Sequence, residues 1–134
     1  MGIYEAEEAE RGRDTETIAG LLREFHAAGL PLNTHSNVYE NARLVKAGPG
    51  YLFGFTVYNS KGSGQFIQVH DSPVLPAEGA VPEVVVDIAT VVAKGVQWLP
   101  LGRSFLRGIY LVNSSTAPTK TIGSADCFFD AQYI

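Results

Sequence analysis

The chain has 134 residues, 46% of them hydrophobic and 18% charged, with 14 glycines; that is enough for one buried core and not two, and it excludes disorder over most of the length. The formal charge of −4 lies entirely at the N-terminal end, where residues 1–26 hold seven acids against three arginines while residues 27–134 hold seven of each. Without a basic stripe to displace counterions from phosphates, nucleic acid is not an expected partner, and no apolar run approaches the roughly 18–20 residues that cross a bilayer, so no membrane partner is expected either.

The opening stretch, MGIYEAEEAERGR, is too polar for a secretory leader and predicts synthesis in a cytoplasm. Residues 14–28 predict a short amphipathic helix, because Ile18, Leu21, Leu22 and Phe25 recur at i, i+3, i+4 and i+7. Asp14 suits the N-cap, acids fill the first turn, and Gly29 followed by Pro31 stops the helix. Since an isolated helix of this length is marginal in water, its stripe is expected to dock on its own domain or on a neighbouring subunit. Residues 1–36 therefore read as an acidic arm with a helix, and residues 37–134 as the main domain.

From Asn37 onward the pattern turns to period two, with short apolar runs parted by glycine, proline and polar turns. Strands are predicted near 38–46, 51–58, 65–70, 83–92, 95–99, 106–112 and 126–133, joined by AGPG (47–50), NSKGSG (59–64) and DSPVLPAEGAVP (71–82). No stretch between them favours a crossover helix. The fold class is therefore mainly β: an antiparallel β-sandwich or jelly-roll-like domain preceded by a short N-terminal helix. Within 51–58, Tyr51, Phe53, Phe55 and Val57 fall on one face of the strand and Leu52 and Tyr58 on the other; Val84, Val86 and Ile88 likewise have Val85 and Ala89 behind them. Strands that are apolar on both faces predict outer faces covered by the helix or by a partner subunit, hence a homo-oligomer. The residues assigned to that interface are Ile18, Leu21, Leu22, Phe25, Tyr51, Phe53, Phe55 and Trp98.

The residue types that do chemistry are present but scattered. His70 and Asp71 are adjacent, which on a strand points them to opposite faces, and are read as a strand end beside a turn-initiating Asp-Ser-Pro. His26 and His35 lack ligand spacing, so no metal or other cofactor is expected. Asp126 and Asp130 would stand about 13 Å apart on one strand face, too far for a glycosidase pair. Cys127, the single cysteine, rules out a disulfide within the chain and reads as a packing residue. The hydroxyl cluster Ser114, Ser115, Thr116 and Thr119 lacks a G-x-S-x-G elbow and, with Pro118 behind it, reads as a chain-bending segment. No catalytic residues are assigned, and an enzyme is not expected.

Over residues 40–134 the sequence resembles small β-rich virion proteins of tailed bacteriophages. The resemblance is carried by ARLVKAGPGYLFGFTVYNS, by FIQVHDSPVLPAEGAVP, by Phe105, Gly108 and Ile109 in F-x-x-G-I, by Ser114, Ser115, Thr116 and Thr119 in SST-x-x-T, and by a last strand ending at Tyr133. It implies a non-enzymatic structural protein of the virion, a capsid decoration or cement protein that oligomerises, a trimer being one form, and binds the major capsid protein. Neck, tail, baseplate or fibre components are the alternatives within the virion. An alternative of another class is a small carbohydrate-binding module in which Trp98, Tyr58 or Tyr110 stacks on a sugar; a metal-dependent cupin-like enzyme is a third, weakened by the lack of a histidine cluster.

Overall fold

A computed structural model describes residues 31–134, so the expected helix over 14–28, with Ile18, Leu21, Leu22 and Phe25, lies outside the described residues. Among the described residues nine strands follow in chain order: β1 (Leu32–His35), β2 (Ala42–Lys46), β3 (Gly50–Asn59), β4 (Gln65–His70), β5 (Val84–Ile88), β6 (Val92–Gln97), β7 (Arg103–Phe105), β8 (Ile109–Ser114) and β9 (Cys127–Tyr133). They form two antiparallel sheets. Sheet I runs β1-β9-β3-β6, with β7 continuing the β6 edge of β3, and sheet II runs β2-β8-β4-β5.

The inner faces of both sheets feed one core. Val45, Ile67, Val69, Ile88, Ile109 and Leu111 come from sheet II, and Leu52, Phe55, Val57, Phe105, Cys127, Phe129 and Ala131 from sheet I. The arrangement is sandwich-like, and alternation supplies it: Ile67 and Val69 along β4 and Ile109 and Leu111 along β8 face inward, and Gln65 and Asn113, in the same phase, are buried and bonded to each other. Burying each large member of this set contributes roughly 1.5–3 kcal/mol.

Three departures from the sequence reading have local causes. The compact unit begins at Leu32, not at residue 37, because LNTH pairs with β9 as an edge strand that its polar composition conceals. The apolar run 83–92 is two strands on different sheets, β5 and the start of β6, parted by a turn in which Val91 takes φ 44°. The strand expected over 106–112 is shifted: residues 106–108 connect β7, which ends at Phe105, to β8, which starts at Ile109 and runs to Ser114.

β3 carries the most consequential difference. Leu52 pairs with Tyr133 and Gly54 with the next residue, Gln132, so Phe53 is an extra residue, a β-bulge. A bulge reverses which face later residues occupy. Tyr51 therefore does not share a face with Phe55 and Val57: it is exposed, Phe53 is half-buried at the bulge beside Gly102, and Phe55 and Val57 join Leu52 in the core. As an interface residue Phe55 is thus unavailable, since it is 2% exposed and packs inside its own subunit.

Strand directions fix the two ends of this unit. At the end where β3 begins lie the 47–49, 71–83 and 106–108 connections, with 98–102 projecting from the edge nearby; at the other end lie 36–41, 60–64, 89–91 and 115–126.

Candidate functional site

The outward faces of the two sheets differ at their central strands, while at the edges of sheet II the outward Leu44 of β2 and Val85 of β5 are exposed. On sheet II the outward positions of β4 and β8 include Gln68, His70, Val112 and Ser114, none of them more than 3% exposed. They are sealed by the chain itself. Residues 115–121 fold back as a hairpin, closed by the Ser114–Ile122 bridge and by Ser115 N–H on Thr121 O (2.9 Å), and the 76–82 segment docks beside it through Gly79 N–H on Lys120 O and Lys120 N–H on Ala80 O, each 2.8 Å.

Gln68 clamps this cover. Its Nε2 shares two N–H groups among the carbonyls of Thr116, Ala117 and Thr119 at 3.0, 3.1 and 3.1 Å. That leaves Oε1 as the acceptor for His70 Nε2 at 2.9 Å, which therefore carries the proton. Burial, reinforced by the Lys120 charge, pushes the His70 pKa below the usual histidine value and keeps the ring neutral. Lys120 is itself 3% exposed, its Nζ held 2.6 Å from Glu78 Oε1. The same carboxylate accepts Ile122 N–H, and the lysine bond followed by this one holds its pKa below the ordinary range.

The hydroxyl cluster belongs to the cover. Ser114 Oγ accepts the N–H groups of Thr116 (3.2 Å) and Thr121 (3.0 Å) and donates to Thr116 O (2.8 Å). With one proton given and two lone pairs filled, the oxygen has nothing left for a nucleophilic role. Thr116 Oγ1 bonds Thr119 O and Thr121 Oγ1, so these side chains knit the hairpin. The segment turns the chain, and seals a sheet in doing so.

Sheet I has no such cover among the described residues. Its outward register holds Asn33 and His35 on β1, Phe128, Asp130 and Gln132 on β9, Tyr51, Gly54, Thr56 and Tyr58 on β3, and Ala93, Gly95 and Gln97 on β6. Tyr51 is 47%, Tyr58 37% and Phe128 38% exposed, and the His35 ring stacks on Phe128 with centroids 6.4 Å apart. Gly95 helps to leave a depression of about 350 Å³ lined by Phe55, Thr56, Gly95, Val96, Gln97 and Gln132. The one carboxylate on this face, Asp130, accepts the amides of Asn33 and Gln132. An almost uncharged face with an aromatic ridge beside a hollow is suited to binding a surface, since charge depletion and aromatic enrichment mark interface cores.

The remaining sequence candidates are dispersed. Trp98 is half-buried against the core, its ring 6.0 Å from that of Phe55, and Tyr110 is half-buried, which leaves Tyr58 alone of the three sugar-stacking candidates open. Asp71 accepts the N–H groups of Leu106, Arg107 and Gly108 at 3.3, 2.8 and 3.2 Å, so it bridges two connections instead of opening a local turn; those bonds hold its pKa low against the opposing effect of desolvation. Cys127 is buried at the core, and desolvation pushes its thiol up to about 12, which leaves it inert. Among the described residues no group of three or more His, Cys, Asp or Glu is placed to hold a metal ion. Sequence reasoning missed Gln68, Lys120 and Glu78, because a polar residue at an outward strand position reads as solvated unless the loops that cover it are known.

Compared with known proteins, the chain matches no family model, no curated protein and no solved structure.

Proposed function

We propose that this chain is a non-enzymatic structural component of a bacteriophage particle, a capsid-decoration protein that self-associates through the outer face of sheet I and binds the major capsid protein. One observation carries the self-association: among the described residues, loops cover the middle of the sheet II outer face over β4 and β8, while none covers the outer face of sheet I, where Tyr51, Tyr58 and Phe128 are exposed. A sheet that meets its own copies across a near-neutral face avoids the like-charge repulsion that opposes self-association. The ridge of Phe128 and Tyr58 and the hollow at Gly95 give it relief to fit against. Support for the virion comes from the sequence resemblance over residues 40–134. The order β1-β9-β3-β6 against β2-β8-β4-β5 suits a jelly roll, an architecture used in capsid proteins.

The assembly is a cyclic homo-oligomer, a trimer among the candidates, about an axis along the strands of sheet I. Size-exclusion chromatography with light scattering tests it: a multiple of the 14.4 kDa chain mass is expected, reduced to one by Tyr58→Glu with Phe128→Glu. A wild-type monomer at micromolar concentration overturns the self-association. Mass spectrometry of purified particles tests the virion assignment, which fails if the chain is absent from them.

A further inference from the structure

The most exposed leucines of the described residues lie on the 98–102 and 106–108 connections, on either side of β7. Leu101 is 82%, Leu106 79% and Leu99 69% exposed, and Val74 and Leu75 on the adjoining connection are exposed too. Leu101 and Leu106 flank the three-residue strand β7 and so lie within about 17 Å of one another. Leu106 is held next to the 71–75 segment, because Asp71 takes the N–H groups of residues 106–108. Gly108 lies so close to that segment that a Cβ there would sit 2.5 Å from the Ser72 carbonyl oxygen.

These leucines cannot fold inward. Gly102, at φ 77°, closes the 98–102 loop with its N–H on Trp98 O (2.7 Å), and Trp98 N–H is bound to Phe53 O (2.8 Å). The turn at 106–108 is pinned by a carboxylate. A braced loop that presents single leucines to water forgoes the gain of burying them, which is what a surface waiting for a partner does.

We propose that this leucine-tipped end is the surface that attaches the chain to its particle, and that its partner is a protein surface with aliphatic pockets beside carboxylates; the inference rests on the assembly function proposed above. Separate knobs on rigid loops call for pockets. The acid side comes from charge: Arg107 and Lys46 at this end form no ion pair among the described residues, whereas Glu83 is paired with Arg103 and Asp71 is taken up by backbone N–H groups. A second copy fits worse, since its own end would bring the same cations. In a cyclic assembly about an axis along the strands, every copy points this end the same way, so several weak attachments act together.

The test adds purified protein to particles assembled without this chain and measures what sediments with them. Wild type is expected to bind, and Leu101→Asp with Leu106→Asp to lose at least about tenfold in affinity for each leucine while keeping the wild-type mass in light scattering and an unchanged thermal melt. Leu101→Ala with Leu106→Ala, which introduces no charge, is expected to bind at an intermediate level, and Arg107→Glu to weaken binding most at low salt. Binding by the aspartate variant equal to wild type overturns this inference and leaves the assembly function standing; binding by neither protein overturns both. Loss of the oligomer in the aspartate variant assigns the leucines to contacts between copies, and flotation of wild type with vesicles of anionic phospholipid assigns them to lipid; either outcome overturns the proposal.

Discussion

The outer faces of the two sheets are built from similar strands and end in opposite states. β4 and β8 carry buried polar groups on their outer side: Gln68 and Ser114 are satisfied by a loop laid over them, and His70 by Gln68. β3 and β9 carry aromatic rings and small residues, Tyr58, Phe128, Gly54 and Thr56, with no loop above them among the described residues. The difference follows from what each face needs. A buried polar group must be paired, and hairpin carbonyls pair it within the chain. Exposed rings set among neutral polar side chains ask chiefly for exclusion of water, and a second polypeptide serves as well as a loop.

Substitutions break this contrast unequally. The largest effect is expected at Gln68: Gln68→Ala removes the clamp on three carbonyls and leaves His70 without its acceptor, costing about 2–4 kcal/mol and opening residues 115–121 to proteolysis. Ser114→Ala, which deletes the acceptor for two N–H groups, is expected to cost about 1–2 kcal/mol by urea denaturation.

Acid is the next probe. His70 has a folded pKa below its ordinary 6.5, so the unfolded chain binds its proton first. The stability from keeping the ring neutral is complete above pH 6.5 and is lost as the pH falls through the folded value. Hydrogen exchange of residues 115–121 should accelerate over that interval, and His70→Gln should remove the dependence. Asp71 and Glu78, whose folded values are also low, lose their contribution only in more acidic solution, below the ordinary carboxylate range. On sheet I the smallest effect on the fold is expected: Tyr58→Glu should change monomer stability by less than about 0.5 kcal/mol while abolishing the oligomer. A large loss of stability there would mean that this face is packed within the subunit after all.

Much of the β architecture was legible in the chain. Alternation in QFIQVH and LRGIYLV marks inward Ile67, Val69, Ile109 and Leu111, and glycine and proline clusters mark the connections. Strand phase was not legible in β3, since the bulge at Phe53 follows from pairing with β9 and β7 and leaves no sign in the local pattern. The strand over Leu32–His35 was hidden because it is held by Cys127–Tyr133, almost a hundred residues away. The cover over sheet II was equally invisible, since SSTAPTKT signals a turn and not the direction in which the turn folds.

The sequence by itself determined a β-rich domain, the period-two alternation of its strands, and the placement of its charge, because these depend on composition and on neighbours along the chain. Only the tertiary structure decided which face of each strand is buried, which sheet the chain seals for itself, and where leucines are held out to solvent. Those outcomes depend on hydrogen bonds and contacts between residues far apart in sequence, which no local pattern encodes.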